Sequence, residues 1–297
     1  MLIKNATYNK HSIIEDSDGP ISIFEDVTII NNPSSEKIFF SGTYIPITCT
    51  PHYFHFLKEY YGFYLYYKEK YDANAQYLWI DHHYFYPAYQ NMIGICDFCH
   101  KTLGEGWTIT DWHNKNFFIK KLVILFDSQR CIMNESYQQP SYAYTPGINA
   151  TIRAQMLPRV PQEDIRHKLY LSRKIVSEHL PTFPVGQSNA PLEKWKQDQL
   201  RLRYVDPAKE QELEDYYQQQ GYTIIQLSGM SLLEQVSLFQ HADKVTGLLG
   251  TAFYNGIFAN EHTSFEALRI NPEYYYDFEQ DIKTVLPYAD FNYKLLY

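Results

Sequence analysis

A doubly wound α/β fold is what this sequence predicts, on three observations. Between residues 217 and 268 the apolar period switches repeatedly between strand and helix spacing. Within that stretch Gly247 and Gly250 bracket a tight turn between a strand and a helix. The first half of the chain also alternates short β-branched runs with longer apolar segments. Strand, helix, strand, Gly turn, helix, strand places a ligand site at the carboxyl ends of the strands. Backbone N–H groups at a helix start there favour an anion such as a diphosphate.

The elements follow in chain order. Ile21–Phe24, Val27–Ile30 and Lys37–Phe40 read as short strands, and residues 31–35, Asn-Asn-Pro-Ser-Ser, as a loop. Tyr53–Tyr71 lacks breakers apart from Gly62 and reads as helix. Tyr77–Asp81 is a strand, Tyr84–Ile95 a helix, and Phe117–Phe126 with its KKLVILF run a buried strand. Ser136–Pro161, with four prolines and a polar, Tyr-rich composition, reads as a linker. Lys168–Leu171 opens the second half as a strand. Tyr222–Leu227 is another, and Ser231 with Glu234 forms a capping box for a helix ending near His241. Lys244–Leu249 is a strand, Ala252–Ala259 a helix and Ser264–Leu268 a strand. The expected division is 1–160 and 161–297, each half Rossmann-like.

Composition narrows the function. A net charge of −8, from 26 basic and 34 acidic residues, argues against general nucleic-acid binding. The N-terminus shows no apolar signal core, and no run of about 18 uncharged apolar residues spans a membrane. The expectation is a cytoplasmic protein, with peripheral contact at the inner face of the cell membrane left open. The four cysteines, Cys49, Cys96, Cys99 and Cys131, are then expected as reduced thiols. Cys96-Asp97-Phe98-Cys99-His100 matches a haem attachment pattern, but that chemistry requires export. The Asp16-Ser17-Asp18 triplet lies in a Gly-flanked polar loop and reads as a turn. No metal and no cofactor is expected.

The residues that carry chemistry fall into two groups. Arg173 stands at the end of a strand, and Gly250, Thr251 and Asn255 line the turn into a helix. An arginine fork suits phosphate because it makes paired, charge-assisted bonds. Arg203 is a second cation of this kind, Gln235 offers an amide for a base edge, and Glu266 offers a carboxylate for ribose hydroxyls. In the first half, His55 and Glu59 are spaced i, i+4 on a helical segment, and His is the usual base near neutral pH. Asp81, His82 and His83 follow a strand and form an acceptor-side alternative.

The ordered set of motifs resembles glycosyltransferase family 61. Its C-terminal signature is matched by Glu234-Gln235, Ala242-Asp243, Gly250 through Asn255 and Phe265-Glu266-Ala267-Leu268. The strand ending in Ser172-Arg173 and the Pro51–Glu59 segment agree with it in order, over residues 51–268. Arg201 to Asp206 is similar to an Arg-rich element of the family, displaced by an insertion after Lys174. The resemblance implies a GT-B arrangement, two Rossmann-like domains facing across a cleft, with the nucleotide sugar in the C-terminal half and the acceptor in the N-terminal half. It implies an inverting, metal-independent transfer from a UDP-linked donor to a glycan or lipid-linked glycan in surface polysaccharide assembly. His55 and Glu59 would then serve catalysis. Two alternatives stand beside it: a non-catalytic carbohydrate-binding or scaffold protein, and a Rossmann-type oxidoreductase. The absence of G-x-G-x-x-G after the first strand of either half counts against the latter.

Overall fold

The computed structural model describes residues 6–48, 53, 56–80, 90–103, 106–109, 114–125, 146–162, 166–174, 207–270 and 290–295. The chain divides into two compact units, Met1–Tyr84 with Cys96–Ile152, and Phe85–Ile95 with Arg153–Tyr297.

The first unit is built on one sheet. Its strands are β1 (Ala6–Thr7), β2 (Lys10–Ile14), β3 (Ile21–Ile30), β4 (Lys37–Thr48), β5 (Gln76–Ile80), β6 (Gly106–Ile109) and β7 (Asn116–Leu125). The order is β1-β3-β7-β4-β5-β6, with β2 also on β3. β7, β4, β5 and β6 run parallel. β1 and β2 pair antiparallel with β3, and β3 pairs antiparallel with β7. The all-parallel Rossmann-like sheet expected of this half is therefore corrected to a mixed sheet. The reason is local. β2 and β3 are joined by a short turn over residues 15–20 in which Gly19 takes φ 109°, and so short a connection can only return the chain antiparallel. β3 is one strand where the sequence reads as two. Asp26 interrupts the apolar run with φ 52° while its carboxylate meets Lys120 Nζ at 2.6 Å.

Within the Tyr53–Tyr71 segment a π-helix, Phe56–Gly62, precedes α1 (Phe63–Lys70). A Cβ on Gly62 would come within 2.5 Å of Ile152 Cδ1, so only glycine permits this approach. Ile152 lies on α3 (Pro146–Met156), inside the segment read as a linker. That reading is corrected: Pro146 occupies the first helical position, and Ile148, Ile152 and Met156 repeat every fourth residue and are fully buried. α2 (Gln90–Thr102) carries Cys96 and Cys99. Cys96 is disulfide-bonded, against the expectation of reduced thiols, and Cys99 is a buried thiol.

The second unit holds a sheet of β8 (His167–Leu171), β9 (Thr223–Ile225), β10 (Ala242–Leu248), β11 (Ser264–Arg269) and β12 (Asp290–Leu295). Its order is β12-β11-β10-β8-β9, and every pairing is parallel. The chain runs from β8 outward to β9, then returns past β8 to build β10, β11 and β12 on the other side. That is a doubly wound sheet with its switch point between β8 and β10. α4 (Pro207–Gln219) lays Leu213 and Tyr217 against Tyr170, Leu248 and Leu268 on one face. α4 ends where Gly221, at φ 80°, lets the Tyr222 N–H reach Tyr217 O and its own N–H reach Gln218 O. α5 (Leu232–Gln240) starts on the predicted capping box, with Ser231 and Glu234 each bonding the other's backbone. The segment after the Gly turn is a 3-10 helix, Thr251–Phe258, whose Phe253 packs on Phe265 of β11.

Candidate functional site

The carboxyl ends of β8 and β10 lie side by side, because Gly247 of β10 pairs with Leu171 of β8. Arg173 leaves the end of β8, and Gly250 leaves the end of β10. The two meet. Arg173 Nη1 donates to Leu249 O at 3.2 Å. A Cβ on Gly250 would stand 2.8 Å from Nη1 and 2.9 Å from Cζ of that guanidinium. Gly250 is extended, so its value here is the space a side chain would take, not its backbone freedom. Its carbonyl accepts from Phe253 N at 3.0 Å and opens the 3-10 helix. Thr251, the first residue of that helix, is exposed. An arginine fork beside a helix start at a switch point is suited to an anion.

Two other predicted residues are brought together beneath the turn. Asn255 Nδ2 donates to Gln235 Oε1 at 3.1 Å, and Gln235 Nε2 donates to Met230 O at 3.1 Å. Both side chains are buried, and their pairing ties α5 to the 3-10 helix that Gly250 opens. Glu266 is engaged by other partners. It sits mid-strand on β11, accepts from Tyr217 OH at 3.3 Å and lies 3.7 Å from Lys244 Nζ. Arg203, His55, Asp81, His82 and His83 lie outside the described residues. Glu59 belongs to the π-helix, and its side chain is likewise outside them.

Four residues around Arg173 escaped the sequence reading. Glu210 of α4 is fully buried, and its Oε1 accepts from Arg173 N at 3.0 Å and from Tyr170 OH at 3.1 Å. Glu214, one turn on, accepts from Ser172 Oγ at 2.5 Å. Ser172 Oγ in turn accepts from Lys174 N at 3.2 Å, and Lys174 Nζ donates to Gln211. Burial pushes the Glu210 carboxyl above the usual range. The Arg173 amide, the Tyr170 hydroxyl and the Arg173 charge oppose that shift, and the neighbouring Glu214 adds to it. Burial likewise drives the Tyr170 hydroxyl far up, helped by Glu210, so it stays a donor. The signal for these carboxylates was present: Pro207 at a helix start, Gly221 past its end, and Glu210, Leu213, Glu214 and Tyr217 on one helical face.

Among the described residues, no three His, Cys, Asp or Glu side chains are grouped to hold a metal, and no helix is long and apolar enough to cross a membrane. The family model described as Glycosyltransferase 61 matches residues 37–265, more than two thirds of the chain. No curated protein matches it.

Proposed function

The chain belongs to glycosyltransferase family 61, and from that premise we propose that it moves a sugar from a nucleotide diphosphate, UDP-linked, to a glycan or lipid-linked glycan. Membership sets the oxidoreductase alternative aside. The observation that carries the donor assignment is the Arg173 guanidinium seated on Gly250 at the β8–β10 switch point. Departure of the nucleotide diphosphate develops negative charge on the leaving oxygen, and a fixed cation with helix-start amides stabilises it. Arg173 takes the diphosphate in this reading, with Arg203 as a second cation. Thr251 reaches the phosphate or ribose from the helix start. Gln235 and Asn255 shape the floor of the turn, and Glu266 is the ribose candidate. On the acceptor side, His55 or Glu59 removes the hydroxyl proton, with Asp81, His82 and His83 as the next candidates. The transfer is inverting and metal-independent, of the GT-B class, and serves surface polysaccharide assembly.

Calorimetry with UDP tests the donor site. A hydrogen bond to a charged group contributes roughly 1.5–3 kcal/mol, so Arg173→Ala should bind UDP about 10- to 150-fold more weakly. Arg173→Lys should recover part of that loss, since the charge remains and the fork does not. Unchanged UDP affinity in folded Arg173→Ala removes this residue from the site. Turnover should survive EDTA. Strict dependence on Mn²⁺ or Mg²⁺ would end the metal-independent reading.

A further inference from the structure

We propose that Glu210 is the positioning residue of the donor site, holding Arg173 in place through the Arg173 backbone amide rather than by contact with the donor. The inference rests on the donor-site reading above.

The geometry is that of a clamp. One face of α4 presents Glu210, Gln211 and Glu214 to the three residues that follow β8. Glu210 Oε1 takes the Arg173 N–H, Glu214 Oε1 takes the Ser172 hydroxyl, and Gln211 takes the Lys174 ammonium. On the other side, Ser172 N donates to Ile225 O of β9 at 2.8 Å. With the backbone at 172–174 fixed from both sides, the Arg173 side chain is directed across β10 to Leu249 O and Gly250.

Cost points to purpose. Glu210 is fully buried, and its second oxygen, Oε2, has no hydrogen-bond partner. Burying a half-satisfied polar group is expensive, and an apolar residue would be cheaper if α4 merely packed on the sheet. The sheet-facing positions beside it, Leu213 and Tyr217, follow that cheaper rule. Tyr170, stacked on Tyr217 at 4.7 Å, gives its hydroxyl to the same Oε1 and orients the carboxylate toward Arg173. The carboxylate therefore sits where it serves the β8 turn, and what it supplies there is reach. A one-carbon retreat would take Oε1 out of bonding distance of the Arg173 amide.

Two substitutions separate reach from charge. Glu210→Gln keeps the length and the accepting oxygen and loses the charge. Glu210→Asp keeps the charge and loses the length. UDP affinity is measured for each, alone and combined with Arg173→Ala. Glu210→Asp is expected to weaken UDP about five- to tenfold, and Glu210→Gln to stay within about twofold of the parent. In the Arg173→Ala background both should be silent, because the effect runs through Arg173. The inference is overturned if Glu210→Gln loses more affinity than Glu210→Asp, since charge would then act on the donor directly. It is also overturned if the Glu210→Asp loss persists without Arg173. Should Glu210→Asp not fold, Glu210→Gln alone decides: a loss beyond about twofold overturns the clamp, and retention supports it. Unchanged UDP affinity in Arg173→Ala itself overturns the donor-site reading and the clamp together. A loss in Arg173→Ala with no loss in Glu210→Asp overturns the clamp alone.

Discussion

Two carboxylates, one in each unit, accept from tyrosine hydroxyls and a backbone amide at a turn, and their surroundings shift them in opposite directions. Asp16, in the first unit, accepts from Tyr66 OH at 2.9 Å, Lys70 Nζ at 2.8 Å, the Asp18 amide at 2.7 Å and Tyr71 OH. Its neighbour Asp18 is buried and accepts from Ile148 N at 2.5 Å. Glu210, in the second unit, has one oxygen engaged and one unpartnered. Burial would raise the Asp16 carboxyl, but the bonds from Lys70, Tyr71, the Asp18 amide and Tyr66 more than reverse it, and the group is held far below the usual range. At Glu210 burial prevails. A carboxylate saturated by donors and an ammonium is a latch: Asp16 joins the residue 15–20 turn to α1, as Asp18 joins it to α3, and the unit is stabilised. A carboxylate left half-satisfied beside an arginine at a switch point is a cost borne at a site.

The widest expected gap is in stability. Asp16→Ala removes the bonds from Lys70, Tyr66, Tyr71 and the Asp18 amide and leaves the Tyr66 hydroxyl with Lys70 alone, so denaturant unfolding should show a loss of about 3 kcal/mol, with UDP affinity untouched. A folded Asp16→Ala protein with weakened UDP binding would break the distinction between latch and site. Gly250→Ala is the converse. Its Cβ meets the far end of a flexible arginine and the backbone there is extended, so stability should move by less than about 0.5 kcal/mol. Arg173 must shift, and UDP should bind about tenfold more weakly by calorimetry. Equal UDP affinity in Gly250→Ala would show that the guanidinium need not rest there.

The smallest effect is in the pH dependence, where the two groups have opposite signs. Asp16 has a lowered carboxyl, so its contribution is present above an unfolded value of about 3.9 and is lost as pH falls through the lower folded value. Glu210 has a raised carboxyl, so its contribution is present below an unfolded value of about 4.3 and is lost as pH rises through the folded value. Urea midpoints across this acidic range should therefore show Asp16→Asn converging on the parent as pH falls. Glu210→Gln should gain on the parent as pH rises toward neutral. Parallel curves for the two variants would mean the two environments do not differ as described.

Local sequence determined much of the second unit. The Ser231–Glu234 capping box, the strands at 167–171, 242–248 and 264–269, and the Gly turn all depend on neighbours a few residues away, and a sequence displays such neighbours directly. The family was legible for the same reason, since its motifs are local and ordered. Arg173 and Gly250 were each visible as candidates by type and position. Their contact was not, because strands 76 residues apart in sequence become neighbours only through the parallel register of β8 and β10. The same holds for Glu210, which accepts from an amide 37 residues earlier. The Asp16 triplet forms a turn as its residue types predict, yet only packing could supply Tyr66, Lys70 and Tyr71 as its partners, and while the β2–β3 hairpin is local, the antiparallel pairing of β3 with the distant β7 is not. Local propensity and capping are written in short windows. Pairing register, burial and the state of a buried carboxylate are set by which distant segments meet, and that is decided when the chain closes its core.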